Sequence, residues 1–174
     1  MLCAELETYF ENLAAEILDG AQALWQQNKS VNHALACVIG ACKEGPAIPS
    51  KIDEIKDDKP YLSELVRKAC GVHRTMIQNN RGTKDFNILR MFIPVGITES
   101  DIDIELLAEC NSITAQRGDV AHNTIDHAKI LVDPRTEYDR YHKIIKSLRA
   151  FDALAEPLKS GVPIVVPAEP GGGI

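Results

Sequence analysis

One short stretch of the chain gathers side chains able to do chemistry: Arg117-Gly118-Asp119-Val120-Ala121-His122-Asn123. It holds a permanent cation, a carboxylate, an imidazole and an amide within seven positions. Histidine titrates near neutrality, so it can take or give a proton at physiological pH. Arginine stays protonated and can hold two phosphate oxygens at once, which suits it to charge that builds up during a reaction. Together they suit chemistry at a phosphodiester.

An Arg and a His separated by four to six residues is not a rare pattern. With 8 Arg and 5 His in the chain, chance alone gives roughly 0.7 matches. Three occur: Arg67 with His73, Arg117 with His122, and Arg135 with His142. Context separates them. Arg67 and His73 fall within a helical pattern whose apolar stripe has a packing role. Arg135 and His142 fall in the first turns of another helix, where both can be solvated. Arg117 and His122 follow an amphipathic helix that the sequence ends near Arg117-Gly118, and neither is needed for packing. Five steps along a regular helix rotate the chain by about 140° and advance it about 7.5 Å. A shared substrate therefore requires either a helix break at Gly118 or a second copy of the segment across a twofold axis.

The surrounding elements read as helices. Leu2, Leu6, Phe10, Leu13, Ile17, Ala21 and Leu24 form one stripe over residues 2 to 27. Ser30 is the expected N-cap of a second helix running to about Lys43. Residues 46 to 59 read as a charged loop, and Pro60 as the first turn of a third helix with Leu62, Leu65, Val66, Ala69, Val72, Met76 and Ile77 inside. Gly71 weakens that helix. Asn79 to Gly82 is a turn, followed by a short helix carrying Phe86, Leu89, Met91 and Phe92 and closed by Pro94 and Gly96. Ser100 or Asp101 is expected to cap the next helix, with Ile102, Leu106, Leu107, Cys110, Ile113 and Thr114 buried. Asp133-Pro134 starts a last helix whose expected apolar face is Tyr138, Tyr141, Ile144, Ile145, Leu148, Phe151 and Leu154. No two-residue alternation of strand type appears, so the fold class is all-α, a helical bundle with short additional helices. Residues 1–158 form the expected domain. Residues 159–174, rich in Pro and Gly, read as a flexible tail or linker.

Composition narrows the classes. The chain has 174 residues, 45% hydrophobic and 25% charged, with a net charge of −6, as in an ordinary soluble domain. There is no apolar run of the roughly 20 residues needed to span a bilayer and no signal-peptide pattern, so the expectation is cytoplasmic with no membrane partner. Five cysteines without a C-x-x-C argue against disulfides and structural zinc. Cys37, Cys70 and Cys110 are expected to be small buried hydrophobes. Net acidity argues against broad phosphate binding, but residues 67 to 90 carry Arg67, Lys68, Arg74, Arg81, Lys84 and Arg90 against Asp85 alone. Arg74, Arg81 and Lys84 are the candidate RNA contacts from that basic stretch.

The Arg117–His122 segment resembles the motif of the HEPN superfamily, in particular its RiboL-PSP branch. The order of elements is similar too: a Leu-rich first helix, the Leu89…Phe92-Ile93-Pro94…Gly96-Ile97 stretch, an acid-led helix into Arg117-Gly118, then Ala121-His122 and the Asp133-Pro134 helix. The resemblance covers about residues 1 to 158. It implies a helical bundle that forms a homodimer and cleaves RNA without a metal or other cofactor, leaving a 2′,3′-cyclic phosphate and a 5′-hydroxyl, often as a toxin or antiviral defence effector with an antitoxin partner. Arg117 and His122 carry over as the catalytic pair, with Asp119 and Asn123 as supporting residues. Gly118 stands where many relatives have a polar residue, and Thr124 where a subset carries a modified tyrosine. The alternative is a non-catalytic HEPN-like dimerisation or sensing module for a partner or fused effector.

Overall fold

A computed structural model describes residues 2–43, 61–122 and 133–160; for 116–122 the description is of the backbone helix alone. Six α-helices are present among the described residues: α1 (Leu2–Asn28), α2 (His33–Ala41), α3 (Tyr61–Gln78), α4 (Asp85–Phe92), α5 (Ile104–His122) and α6 (Pro134–Lys159). Two 3-10 turns, Ile93–Val95 and Glu99–Asp101, link α4 to α5. The chain is all-α, with no strand among the described residues.

Helix α1 is the axle. Its stripe of Leu6, Phe10, Leu13, Ala14, Ile17, Leu18 and Ala21 is buried, and all five other helices pack on it. Edge-to-face rings join α1 to two of them: Phe92 on α4 lies 4.8 Å from Phe151 on α6, and Phe10 on α1 lies 6.1 and 5.8 Å from Phe92 and Phe151. The Tyr9 hydroxyl donates to Asp152 at 2.8 Å, and Lys159 meets Glu16 at 3.4 Å, so α1 and α6 run parallel. Burial, with the nearby Asp152 carboxylate, drives the Tyr9 hydroxyl above the ordinary phenol range.

That parallel pair approaches closely at Gly20, where a Cβ would overlap the Lys159 carbonyl oxygen. The obstacle is backbone and cannot swing aside. Gly20→Ala is therefore expected to cost about 1–3 kcal/mol through the clash, against a helix-propensity gain of about 1 kcal/mol. Gly71→Ala in α3, where a Cβ meets nothing within 4 Å, keeps the gain alone. Urea denaturation of the two variants should show shifts of opposite sign.

Several boundaries differ from the sequence reading. Helix α1 ends on Lys29 with a φ of 56°, its amide bonded to the Trp25 carbonyl at 2.9 Å. That left-handed residue turns the chain, so Ser30 stays outside and Asn32 caps α2 by accepting from the Leu35 amide at 2.9 Å. Helix α2 stops at Ala41, short of Lys43. Gly71 leaves α3 unbroken. Ile97 N–H bonds the Phe92 carbonyl and Gly96 N–H that of Ile93, with Gly96 at φ 96°. This two-bond closure favours glycine, and a Cβ on Gly96 would also come within 2.6 Å of His33 Nε2. Neither Ser100 nor Asp101 caps α5; Asp103 does, accepting from the Glu105 amide at 2.9 Å. The Asp133-Pro134 start of α6 is as expected, with Asp133 accepting from the Arg135 amide.

The expected buried faces need revision too. Phe86 is 67% exposed, and Leu62, Val72, Tyr138, Tyr141 and Ile145 are also exposed. Cys70 and Cys110 are buried as expected, but Cys37 is only half-buried, 3.6 Å from His33 Nε2, and Cys3 is buried instead. Burial pushes the Cys110 thiol up to about 12. Pro60, the 46–59 loop and most of the tail lie outside the described residues.

Candidate active site

The helix break expected at Gly118 does not occur. Helix α5 runs unbroken from Ile104 to His122, so Gly118 does not end it. A single helical glycine costs about 1 kcal/mol relative to alanine, too little to break a helix whose neighbours favour it. Arg117 and His122 therefore occupy positions about 140° apart around one helix axis. Asp119 shares the same helix, while Asn123 and Thr124 lie outside the described residues.

The preceding turn of α5 is held firmly. Cys110 and Leu106 are buried. Thr114 donates back to the Cys110 carbonyl and shares a 2.9 Å hydroxyl contact with the fully buried Thr83. Asn111 accepts from the Asp85 amide at 3.0 Å. The α3–α4 turn, residues 79–84, is thus pinned to α5 one helical turn before Arg117. On its other side the same turn is tied to α1: the Gly82 amide donates to Glu7 at 2.6 Å, and Asn80 to Glu11 at 3.4 Å. Arg81 and Lys84 ride on this turn, both exposed. Arg81 donates to the carbonyls of Gln78 and Asn80 at 3.1 and 2.5 Å.

Arg74 is placed differently. It pairs with Asp19 and donates to Gln22 at 3.1 Å, tying α3 to α1. Of the three basic candidates, Arg81 and Lys84 are thus brought toward α5, and Arg74 is engaged along α1.

Helix α6 returns antiparallel to α5. Arg140, only 11% exposed, reaches Glu109 at 2.7 Å and Ser112 at 2.9 Å. Ser147 donates to Asp103 at 2.5 Å. That bond, with the Glu105 amide, holds the Asp103 carboxyl below the usual carboxylate range. Beyond Arg140 toward its N-terminus, α6 exposes Tyr138, and beyond it in the other direction Tyr141 and Ile145.

The other two Arg–His pairs behave as packing and solvated residues. Arg67 pairs with Glu64 at the surface, whereas His73 on the same helix is buried. His142 stacks edge-on against Tyr138 at 4.3 Å and is exposed with Arg135. Trp25 is core, 8% exposed, with Lys29 over its ring.

Burial pushes the His73 imidazole down to about 4, against a weaker opposing hydrogen bond to the Met91 backbone. Its Nε2 has no hydrogen-bond partner among the described residues. The unfolded chain takes up a proton near pH 6.5 and the folded chain only near 4, so folding stability is full above the first value and falls as pH drops through that window. The loss is expected to reach about 2–3 kcal/mol at pH 4.5. Urea denaturation of wild type and His73→Leu at pH 7.5 and 4.5 checks this: the variant should lack that part of the decline.

Among the described residues, no group of three or more His, Cys, Asp or Glu is arranged to hold a metal ion, and no helix is long and apolar enough to cross a membrane. Comparison with protein-family models, curated proteins and solved structures gives no significant match to the chain.

Proposed function

We propose that the chain is an endoribonuclease of HEPN type, acting as a homodimer with a composite site built from Arg117 and His122 of both copies. The observation that carries this reading is the continuity of α5 through His122, with the Arg81–Lys84 turn fastened one helical turn ahead of the pair. RNA brings its own nucleophile. A histidine takes the 2′-OH proton, the 2′ oxygen bonds to phosphorus, and the P–O5′ bond breaks as a second proton reaches the 5′ oxygen. Arginine offsets the charge on the phosphoryl oxygens. Asp119 and Asn123 are positioning residues in this scheme, and Arg81 and Lys84 guide the RNA backbone.

The divergence of the two positions around the helix favours a site shared with a second copy, and the exposed Tyr138, Tyr141 and Ile145 on the helix that follows offer apolar surface for it. A cytoplasmic toxin or defence effector restrained by an antitoxin fits this chemistry. The same exposed face also favours a second reading, a non-catalytic dimerisation or sensing module for a fused effector.

One assay decides between them. RNA is incubated with the purified protein in excess chelator, and the new ends are mapped. The proposal expects 2′,3′-cyclic phosphate and 5′-hydroxyl ends, and protection of any site carrying a 2′-deoxy sugar. RNA left whole by a folded dimer removes the enzyme reading and leaves the module.

A further inference from the structure

A cleft of about 510 Å³ opens between α2, α3 and the 3-10 turn after α4, well within the range of small-ligand sites. Its walls are apolar, with Val38, Ala69, Val72 and Pro94 among them. Three further lining residues are polar: His73, Lys43 and Arg90. His73 is only 5% exposed. One ring nitrogen is engaged at the Met91 backbone, and Nε2 is buried without a partner among the described residues. In the neutral ring that nitrogen is an acceptor and needs a donor. Buried polar groups are almost always satisfied, so one left over beside a cleft points to what the cleft takes in. Lys43 and Arg90 are exposed at the same cleft, and its described lining contains no carboxylate.

We propose that this cleft binds a small organic anion, with an apolar body against Val38 and Val72, a hydrogen-bond donor at His73 Nε2 and an acidic group at Arg90 and Lys43. An aromatic or branched carboxylate, sulfonate or phosphate bearing one N–H or O–H has this chemistry. The site uses none of the α5 residues assigned to RNA cleavage, so the two readings stand or fall separately.

The test uses 8-anilinonaphthalene-1-sulfonate, which has fused rings, one N–H and one sulfonate, at neutral pH with the full chain. One saturable site per chain is expected, with a shift of the His73 Nε2 nitrogen resonance on binding. Val72→Trp, at a half-exposed position, fills the cleft and should weaken binding at least tenfold, and Arg90→Gln roughly fivefold. Ala41→Phe fills the cleft from the α2 wall and serves if Val72→Trp fails to fold. Wild-type affinity in folded Val72→Trp or Ala41→Phe overturns the proposal, as does dye uptake at many weak sites with the His73 resonance unmoved.

Discussion

Replacing His122 with alanine is expected to slow RNA cleavage by about 10²–10⁴-fold, the usual worth of a positioned acid or base. Arg117→Ala is expected to cost about 10²–10³-fold, as for loss of one group that stabilises developing charge. Neither change should unfold the protein, because the bundle is held by residues elsewhere: Phe10, Phe92 and Phe151 in the core and Arg140 between α5 and α6. Melting temperature and solution mass should stay at wild-type values. The composite nature of the site gives a sharper test. Mixed, re-equilibrated Arg117→Ala and His122→Ala chains form heterodimers that retain one arginine and one histidine, on different protomers. Partial recovery of cleavage over either variant alone is expected if the site is shared. No recovery, with heterodimers demonstrated, would mean that each chain carries a complete site, which the spacing on α5 opposes.

Much of the scaffold around that site was legible because its signals are local. The α1 stripe repeats every three to four residues, Asp133-Pro134 is a cap followed by a first-turn proline, and Pro94 and Gly96 close α4; each acts within one or two helical turns. Expectation and structure part where two local signals compete or tertiary contacts decide. Ser30 and Asn32 are both good caps, and the left-handed Lys29 settles the choice. Phe86, Tyr138, Tyr141 and Ile145 are apolar and correctly spaced, yet no described helix covers them, and periodicity does not report coverage. Gly118 suggests a stop because glycine often ends helices, but α5 continues through it. The pairing of Arg74 with Asp19, 55 residues apart, and the α2–α3 cleft around His73 have no local signature. They follow only from which helices become neighbours.

Phe92→Ala should be a severely damaging truncation of the core. The ring is fully buried, and it stacks edge-on with both Phe10 and Phe151. Removing it loses the transfer energy of the ring and leaves a cavity between three helices that cannot all close inward. The expected cost is about 3–5 kcal/mol. A domain of this size is stable by only about 5–15 kcal/mol, so the change takes a large share of the total. At about 2–4 °C per kcal/mol, the melting temperature should fall by roughly 6–20 °C. Phe86→Ala, on the same short helix but 67% exposed, should stay within about 0.5 kcal/mol of wild type. Two phenylalanines six residues apart, with matched chemistry and opposite burial, separate core packing from helix propensity. In Phe92→Ala/Phe151→Ala the costs should sum to less than the two single values, since both rings border one cavity. Equal, small effects at Phe86 and Phe92 would mean that α4 does not pack on α1 and α6 through this ring.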